Sequence, residues 1–172
     1  METLNKSHVD FKSIYFAAGA LNLKANRVFK TVLLVKDGNV YATDGCRLHI
    51  ATIENLKDGY YQVVKKTKTL ILLATATCDL YPDIDCITTI NYKYTIDTDI
   101  LDHNEGKDTG FAYHVALINK AGFVIIPKQV NDVLQQDRFE ISYNKHNQPV
   151  FFHNSNKAAY IMPMAPIWSN IK

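Results

Sequence analysis

The sequence predicts an α+β fold, with two helices and several antiparallel strands in a single domain that spans residues 1–172. Three observations predict it: an apolar stripe with helical spacing near the start of the chain, a second stripe after Pro127, and β-branched runs separated by turns after each stripe. Helix, hairpin and strand occur twice in this order, around residues 8–64 and 123–164, which suggests a duplication. With 47% hydrophobic residues, the chain is long enough to bury one core.

The first element is predicted to be a helix that begins after Ser7. Ser7 and Asp10 have the spacing of a capping box, in which two side chains satisfy the free N–H groups of the first turn. Apolar side chains then recur at helical spacing and predict one buried face: Phe11, Ile14, Tyr15, Ala18 and Leu21. The opposite face is predicted to hold Lys12, Ser13, Phe16 and Ala20.

Strands are predicted to follow this helix. Residues 31–35 are apolar and β-branched, and residues 39–44 are predicted to return beside them. The Asp37-Gly38 pair between them is typical of a type I′ hairpin turn, because both central positions of that turn need a positive φ. Two further runs have strand character: 48–53 and 60–64.

The middle of the chain, residues 65–110, is interpreted as an atypical insertion or irregular segment. Residues 69–80 fit a short helix and a buried strand equally well, because periodicity does not separate the two in a short apolar run. Residues 87–96 are rich in Thr, Tyr and Ile and are predicted to be a strand. Residues 97–110 are acidic and polar and are predicted to be a loop.

The last third is predicted to contain a second helix between strands. Pro127 suits the first position of a helix, where its missing N–H costs nothing. An apolar stripe follows at Val130, Val133 and Leu134. Five polar residues are predicted outside the stripe: Lys128, Gln129, Asn131, Asp132 and Gln135. The predicted strands are 111–118, 123–126, 138–143, 148–152 and 158–164, with a turn at 144–147.

The composition predicts a soluble, cytoplasmic chain with no membrane partner. The formal net charge is +2, which argues against tight DNA binding by a lone monomer. The three cysteines, Cys46, Cys78 and Cys86, include no C-x-x-C pair and are odd in number, so a reducing compartment is expected. The longest apolar run, residues 70–74, is too short to span a bilayer, and the first twenty residues have no signal-peptide core.

The sequence predicts no catalytic site, no metal and no cofactor. The histidines are scattered without the spacing of zinc ligands, and no glycine-rich phosphate loop occurs. The acidic residues of the middle segment fit a polar loop better than a metal site: Asp79, Asp83, Asp85, Asp97, Asp99 and Asp102. The alternative is an enzyme with a site in that segment, such as a metal-dependent nuclease in which Asp83 acts.

Two segments resemble the bacterial β sliding clamp family. Residues 41–48, Tyr-Ala-Thr-Asp-Gly-Cys-Arg-Leu, resemble the A-T-D-G-H-R-L stretch of the clamp middle domain, with Cys46 where the family usually has His. Residues 158–164, Ala-Ala-Tyr-Ile-Met-Pro-Met, resemble the clamp C-terminus. Residues 123–128 resemble the strand-to-helix entry of a clamp half-domain. The small size suits a single-domain clamp-like protein from a phage or mobile element.

The resemblance implies a clamp-like domain of two β-α-β-β-β units, with two helices packed on one face of antiparallel sheets. In this family the helices line the surface that faces DNA, and a ring contains six domains. One domain per chain implies a homo-oligomeric ring of six copies, which is 117 kDa from six times 19.5 kDa. Weak, sequence-independent contacts to duplex DNA are expected from Lys12, Lys24, Arg27 and Lys128.

The resemblance also implies an apolar pocket that receives hydrophobic peptides of a DNA polymerase or clamp loader. One wall would consist of Thr43, Gly45, Cys46, Arg47 and Leu48, and the other of Ile161, Met162, Pro163 and Met164. Gly45 would permit a tight turn, Leu48 and Met164 would offer apolar surface, and Arg47 would hold its charged head outside the pocket.

These inferences predict a sliding-clamp-like accessory protein of DNA replication, acting as a processivity factor or adaptor rather than as an enzyme. The alternative is a clamp-fold interaction module that binds or mimics clamp partners without encircling DNA.

Overall fold

The structure is a computed structural model that describes residues 1–96, 125–134, 138–144 and 148–164. These residues form ten strands and three α-helices, and the prediction of an α+β fold is confirmed. The chain separates into two compact units. Unit 1 comprises Met1–Ile84 and Ser155–Ala159, and unit 2 comprises Asp85–Asn154 and Tyr160–Lys172.

Unit 1 begins with the β-α-β-β-β order that the family resemblance implied. Strand β1 (Glu2–Asn5) leads to helix α1 (Phe11–Ala17), and a 3-10 turn at Val28–Lys30 precedes the next strand. The strands that follow are β2 (Val32–Lys36), β3 (Asn39–Thr43), β4 (Arg47–Thr52), β5 (Gly59–Lys66) and β6 (Leu70–Ala76). Their hydrogen-bonded order is β1-β6-β5-β2-β3-β4, and the described pairings are antiparallel.

The hairpin between β2 and β3 confirms the turn predicted from Asp37-Gly38. Asp37 has φ 51° and Gly38 has φ 73°, and Lys36 pairs with Asn39 across the turn. These two positive φ values are those of a type I′ turn, whose twist matches that of the flanking strands. The turn therefore fixes the register in which β2 and β3 pair.

Helix α1 is shorter than predicted, and it buries more than the predicted face, since Phe16 is buried together with Phe11 and Ile14. The prediction that Phe16 and Ala20 lie on the opposite face is wrong, because both are fully buried. The helix ends at Ala17, so the chain beyond it no longer follows helical spacing. The ring of Phe16 stacks on His49 of β4 with centroids 4.7 Å apart, while Tyr15 is half-buried.

The capping box predicted at Ser7 and Asp10 is also wrong. Asp10 precedes the helix but makes no side-chain bond to its first turn. Its buried carboxylate instead accepts hydrogen bonds from the backbone N–H groups of Glu54 and Asn55, at 2.7 and 2.9 Å. Asp10 thus ties the start of α1 to the connection between β4 and β5.

Residues 65–66 and 70–76 are regular sheet, joined by a turn, rather than an irregular segment. Residues 65–66 end β5, and the undecided run 69–80 contains strand β6, in which Ile71 and Leu73 are fully buried on one face. The prediction of a strand over 87–96 is wrong for most of that range. Asp85–Thr88 is a helical turn, α2, and only Tyr94–Ile96 is a strand, β7.

The turn α2 is closed by hydrogen bonds that the backbone carbonyl of Asp85 accepts from Thr89, one turn later. That carbonyl accepts hydrogen bonds from the N–H of Thr89 at 3.1 Å and from its hydroxyl at 2.8 Å. Thr and Ser hydroxyls bond in this way to a carbonyl four residues earlier. The predicted loop 97–110 and strand 111–118 lie outside the described residues.

Unit 2 contains the second predicted helix. Helix α3 (Pro127–Leu134) begins at Pro127, as predicted, and buries Val130 and Val133 fully. The prediction that Gln129 lies outside is wrong, since only 9% of it is exposed. Gln129 is four residues before Val133 and therefore shares its helix face.

The remaining strands of unit 2 follow α3. They are β8 (Glu140–Tyr143), β9 (Val150–His153) and β10 (Lys157–Ile161), whose last two residues belong to this unit. Strand β8 pairs antiparallel with β7 and with β9. Residues 125–126 are not a strand, and residues 123–124 and 145–147 lie outside the described chain.

Candidate peptide-binding surface

The turn between β3 and β4 is built from side-chain bonds to its own backbone. The hydroxyl of Thr43 accepts a hydrogen bond from the Gly45 N–H at 3.0 Å and donates to the Arg47 carbonyl at 2.6 Å. Oδ1 of Asp44 accepts from the N–H groups of Cys46 and Arg47, at 2.9 and 3.1 Å. These bonds fix the backbone of the turn without the help of a ligand.

Gly45 occupies a position of this turn that other residues rarely adopt. Its φ is +91°, and a Cβ at this position would lie 3.4 Å from Nζ of Lys30 and 4.0 Å from the ring of Phe29. A side chain would be strained by the backbone angle and crowded by Lys30. The turn therefore needs glycine and lies directly against the 3-10 turn at Val28–Lys30.

The guanidinium group of Arg47 contacts the side chain of Asp44 in the same turn. Its Nε lies 3.1 Å from Oδ2 of Asp44, and the two side chains are only 10% and 17% exposed. The charged head of Arg47 is therefore bonded within the turn, and its expected place outside a peptide pocket stays a prediction. The pair instead neutralises Asp44 and holds the turn to the start of β4.

Leu48 lies in the core of unit 1. Its side chain is 1% exposed, so the expectation that it offers apolar surface is wrong. Leu48 directly follows Arg47 in β4, and both it and His49, which lies on the opposite face of the strand, are buried. Thr43 is also buried, which leaves Gly45 and Cys46 as the exposed residues of this predicted wall.

A largely apolar groove of about 420 Å³ lies in the same unit. It is lined by Arg27, Val28, Phe29, Cys78, Asp79 and Leu80. Val28 is 52% exposed and Leu80 is 84% exposed, so both offer apolar surface in this groove. Phe29 lines the groove and also lies beside Gly45, so the groove and the turn adjoin one another.

Sequence reasoning missed this groove. One side comes from a connection without periodicity, and the other comes from the middle segment for which no resemblance was found. The only signal in the sequence was the presence of apolar residues, Val28 and Leu80, within otherwise polar connections. Such isolated residues are common on surfaces, so they did not indicate a site by themselves.

The second predicted wall lies in unit 2. Ile161 ends β10 and is fully buried, so its side chain is not available at the surface. Met162 and Met164 are 40% and 43% exposed, and Pro163 between them is half-buried.

The predicted DNA-facing cations are all exposed, but only two lie on helices. Lys12 is on α1 and Lys128 is on α3. Lys24 and Arg27 instead lie in the connection between α1 and β2, where Arg27 lines the groove.

Within the described ranges, no group of three His, Cys, Asp or Glu side chains is arranged to hold a metal ion. The three cysteines are free thiols. Asp97, Asp99 and Asp102 lie outside those ranges. The helices of the described part are too short or too polar to cross a membrane.

Comparisons with known proteins identify the fold. Neither a family model nor a curated protein matches the sequence. The DNA polymerase sliding clamp of Pseudomonas aeruginosa matches with a TM-score of 0.59 and 14% identity, over 96% of this chain and 66% of the clamp. The DNA polymerase III β chain of Streptococcus pneumoniae matches with a TM-score of 0.65 and 14% identity, over 96% of this chain and 64% of that one.

The DNA polymerase III β subunit of Borrelia burgdorferi, solved in complex with a natural product, matches with a TM-score of 0.61 and 14% identity. That match covers 96% of this chain and 63% of the subunit. The chain therefore has the fold of bacterial β sliding clamps, as the two motifs predicted. It spans slightly less than two thirds of the length of these clamps.

Proposed function

We propose that the chain is a non-catalytic, clamp-like accessory protein of DNA replication that binds a hydrophobic peptide of a DNA polymerase or clamp loader. The observation that supports this function is the likeness of fold to DNA polymerase sliding clamps over 96% of the chain. The similarity of residues 41–48 and 158–164 to clamp motifs adds support that does not depend on the fold.

The groove beside the β3–β4 turn is the proposed site of the peptide in unit 1. Val28, Phe29 and Leu80 offer apolar surface there, and burying such surface is the main source of affinity for hydrophobic peptides. The turn at Gly45 is held by its own hydrogen bonds, so little conformational entropy is lost when a ligand docks against it. Arg27 and Asp79 provide one charge of each sign for the polar groups of a peptide.

Titration of a fluorescently labelled clamp-binding peptide tests this site. We expect Leu80→Asp and Val28→Asp each to weaken binding by about tenfold or more. Each variant places a charge where the bound peptide would cover an apolar side chain. Val64→Asp is the matched control, because Val64 is 54% exposed but lies in the second half of β5 and does not line the groove. Unchanged affinity in both groove variants would remove this site. Leu48→Asp is unsuitable because Leu48 is in the core.

Met162 and Met164 are proposed to contact the same class of peptide from unit 2. Methionine side chains adapt to varied apolar ligands. We expect Met162→Asp and Met164→Asp to weaken binding of the labelled peptide, with Leu23→Asp as a control at an apolar residue of similar exposure. Peptide affinity equal to that of the unsubstituted chain in both methionine variants would restrict the site to unit 1.

Encirclement of DNA is the second part of the proposal. A closed ring stays on circular DNA and slides off the ends of linear DNA. We expect the chain, loaded on a nicked circular plasmid, to remain bound during gel filtration and to be released when the plasmid is cut once. Equal retention on the circular and the linear plasmid would show binding without encirclement.

A clamp-fold interaction module without a ring is the alternative. One observation favours it: the formal net charge of the chain is only +2. Such a module would bind the peptide with the same sensitivity to Leu80→Asp. It would differ by showing no topological retention on circular DNA.

A further inference from the structure

A polar cavity of about 390 Å³ lies in unit 2 and contains none of the residues proposed to bind the peptide. It is lined by Asn91, Lys93, Tyr94, Asn144 and Gln148. We name it the amide cavity, because three of these five residues have carboxamide side chains. All five side chains carry a polar group, and none of the five is acidic. Such a lining suits a polar ligand rather than an apolar one.

The carboxamide of Asn144 holds the walls of the amide cavity together. Its Oδ1 accepts a hydrogen bond from the Lys93 N–H at 2.9 Å. Its Nδ2 donates to the Asn91 carbonyl at 2.8 Å and to Oε1 of Gln148 at 2.6 Å. Asn144 directly follows β8, so residues 91–93 are fixed against the end of that strand. Because the walls are already ordered, a ligand loses little affinity in ordering them.

Two side chains of the amide cavity are available for new polar contacts. Asn91 is exposed, and its carboxamide makes no hydrogen bond within the described residues. Lys93 is exposed as well, and no carboxylate of the described chain pairs with its ammonium group. A carboxamide offers a donor and an acceptor side by side, and an ammonium group offers donors with a positive charge. A matching ligand therefore has an adjacent donor and acceptor, and a separate anionic group.

Tyr94 supplies aromatic surface beside these groups. Its side chain is 41% exposed where it lines the cavity, and its ring stacks on that of Tyr143 with centroids 5.3 Å apart. The two residues are direct partners across β7 and β8, which fixes the position of the ring on the sheet. Aromatic side chains of this kind are the surfaces on which nucleotide bases stack in proteins.

From these three features we infer that the amide cavity binds an adenine nucleotide. Adenine presents its N6 amino donor next to the N7 acceptor, and a carboxamide side chain matches this pair with two hydrogen bonds. Asn91 is assigned to that edge of the base, Tyr94 to its flat face and Lys93 to the phosphate. Guanine fits less well, because its O6 and N7 are both acceptors and leave the carboxamide oxygen without a donor.

Isothermal titration calorimetry with adenosine 5′-monophosphate (AMP) tests the inference. We expect the unsubstituted chain to bind AMP, and to bind guanosine 5′-monophosphate more weakly by about tenfold or more. Ribose 5-phosphate has the same sugar and phosphate without a base. If it binds as tightly as AMP, no base is recognised and the inference is overturned. Equal affinity for the two nucleotides, or no binding of AMP, would overturn it as well.

Asn91→Leu tests the contact to the base. We expect this variant to bind AMP about tenfold more weakly, because leucine has neither donor nor acceptor. Asn91→Gln keeps the carboxamide and is expected to retain most of the affinity. Asn55→Leu is the matched control, at an exposed asparagine of unit 1. If Asn91→Leu and the control bind AMP equally well, the assignment of the base is wrong and the inference is overturned.

Lys93→Gln tests the contact to the phosphate. We expect it to weaken the binding of AMP and to leave the binding of adenosine, which has no phosphate, unchanged. A variant that had lost its fold would bind both ligands more weakly, so this difference is specific to the contact. Lys36→Gln removes the same charge from β2 and is expected to change neither affinity. Unchanged binding of AMP by Lys93→Gln would contradict the inference.

A free nucleotide and a single strand both supply adenine with a phosphate, and a labelled oligonucleotide of deoxyadenosine distinguishes these two sources. AMP bound at least as tightly as the oligonucleotide identifies the free nucleotide as the ligand. Tighter binding of the oligonucleotide, with displacement by AMP, identifies a strand. An oligonucleotide that binds and that AMP does not displace would overturn the inference. None of these results depends on the proposed function, because the groove contains no residue of the amide cavity.

Discussion

Gly45 determines the shape of the turn beside the groove, and its substitution is a test at the scale of one residue. We expect Gly45→Ala to lower the free energy of unfolding by about 1–3 kcal/mol, because alanine is strained at a φ of +91°. Cys46→Ala is the control, since Cys46 is exposed in the same turn. Urea denaturation measures both. A Gly45→Ala chain as stable as the control would mean that the turn relaxes easily.

Asp10 is a second residue whose role is defined by its contacts. Asp10→Ala removes the acceptor of two part-buried hydrogen bonds, from the N–H groups of Glu54 and Asn55, at an expected cost of about 1–3 kcal/mol for the two together. Asp58→Ala removes an exposed carboxylate and is expected to change stability by less than about 0.5 kcal/mol. Equal midpoints for the two variants in urea would show that water replaces the carboxylate of Asp10.

Tyr81 makes stability depend on alkaline pH. Burial raises the pKa of its hydroxyl far above the ordinary 10.0, with further contributions from Cys78 and Tyr60. The unfolded chain ionises near 10, so the stability linked to Tyr81 is present below pH 10 and is lost as the pH rises above it. We expect Tyr81→Phe to unfold less readily above pH 10 than the unsubstituted chain. Tyr94→Phe, which changes an exposed tyrosine, is expected to behave like the unsubstituted chain.

The hydroxyl of Tyr81 also has no hydrogen-bond partner within the described residues. Removing a buried polar atom that lacks a partner is neutral or stabilising. We therefore expect Tyr81→Phe to be at least as stable as the unsubstituted chain at neutral pH. Marked destabilisation there would show that the hydroxyl has a partner after all.

At the scale of an element, α1 is held to the sheet by Phe16. We expect Phe16→Ala to cost about 3–5 kcal/mol, since the ring is fully buried against His49 and its loss leaves a cavity. Lys12→Ala, on the exposed side of α1, is expected to have little effect. Thermal unfolding compares the two variants. A small shift for Phe16→Ala would indicate that neighbouring side chains fill the cavity.

Elements whose signals are local were predicted correctly from the sequence. The Asp37-Gly38 turn and the start of α3 at Pro127 depend on backbone angles of the residues themselves. Burial of Phe16 and Gln129 depends on distant parts of the chain, which periodicity cannot represent in helices of seven and eight residues. The sequence does not decide between helix and strand for β6 for the same reason, because its pairing with β1 and β5 makes it a strand.

The candidate site likewise has one part that the sequence predicts and one part that it does not. The turn at Asp44 and Gly45 was predicted, because motif and turn chemistry are both local. The groove was not predicted, because its two sides are far apart in the sequence and meet only in the folded unit. The burial of Leu48 does not follow from strand alternation, because its neighbour His49, on the opposite face of β4, is buried against Phe16 of α1.

At the scale of the whole molecule, the proposed ring makes a prediction about mass. One domain per chain predicts six copies and 117 kDa, six times 19.5 kDa. If each chain instead supplies two of the six domains of a ring, three copies give 58.5 kDa, three times 19.5 kDa. Light scattering coupled to gel filtration distinguishes these masses. A monomer at high concentration contradicts both rings and favours the interaction module.

Unit 1 is assembled from two stretches of chain, Met1–Ile84 and Ser155–Ala159, and this affects how it is made. A ribosome must synthesise the seventy residues 85–154 after Ile84 before the second stretch exists, which takes about 4–14 s at typical rates. Until then the N–H of Thr52 lacks the carbonyl of Asn156 as its acceptor. The nascent protein therefore exposes an open β4 edge, and a chaperone that shields it would prevent pairing with neighbouring nascent chains.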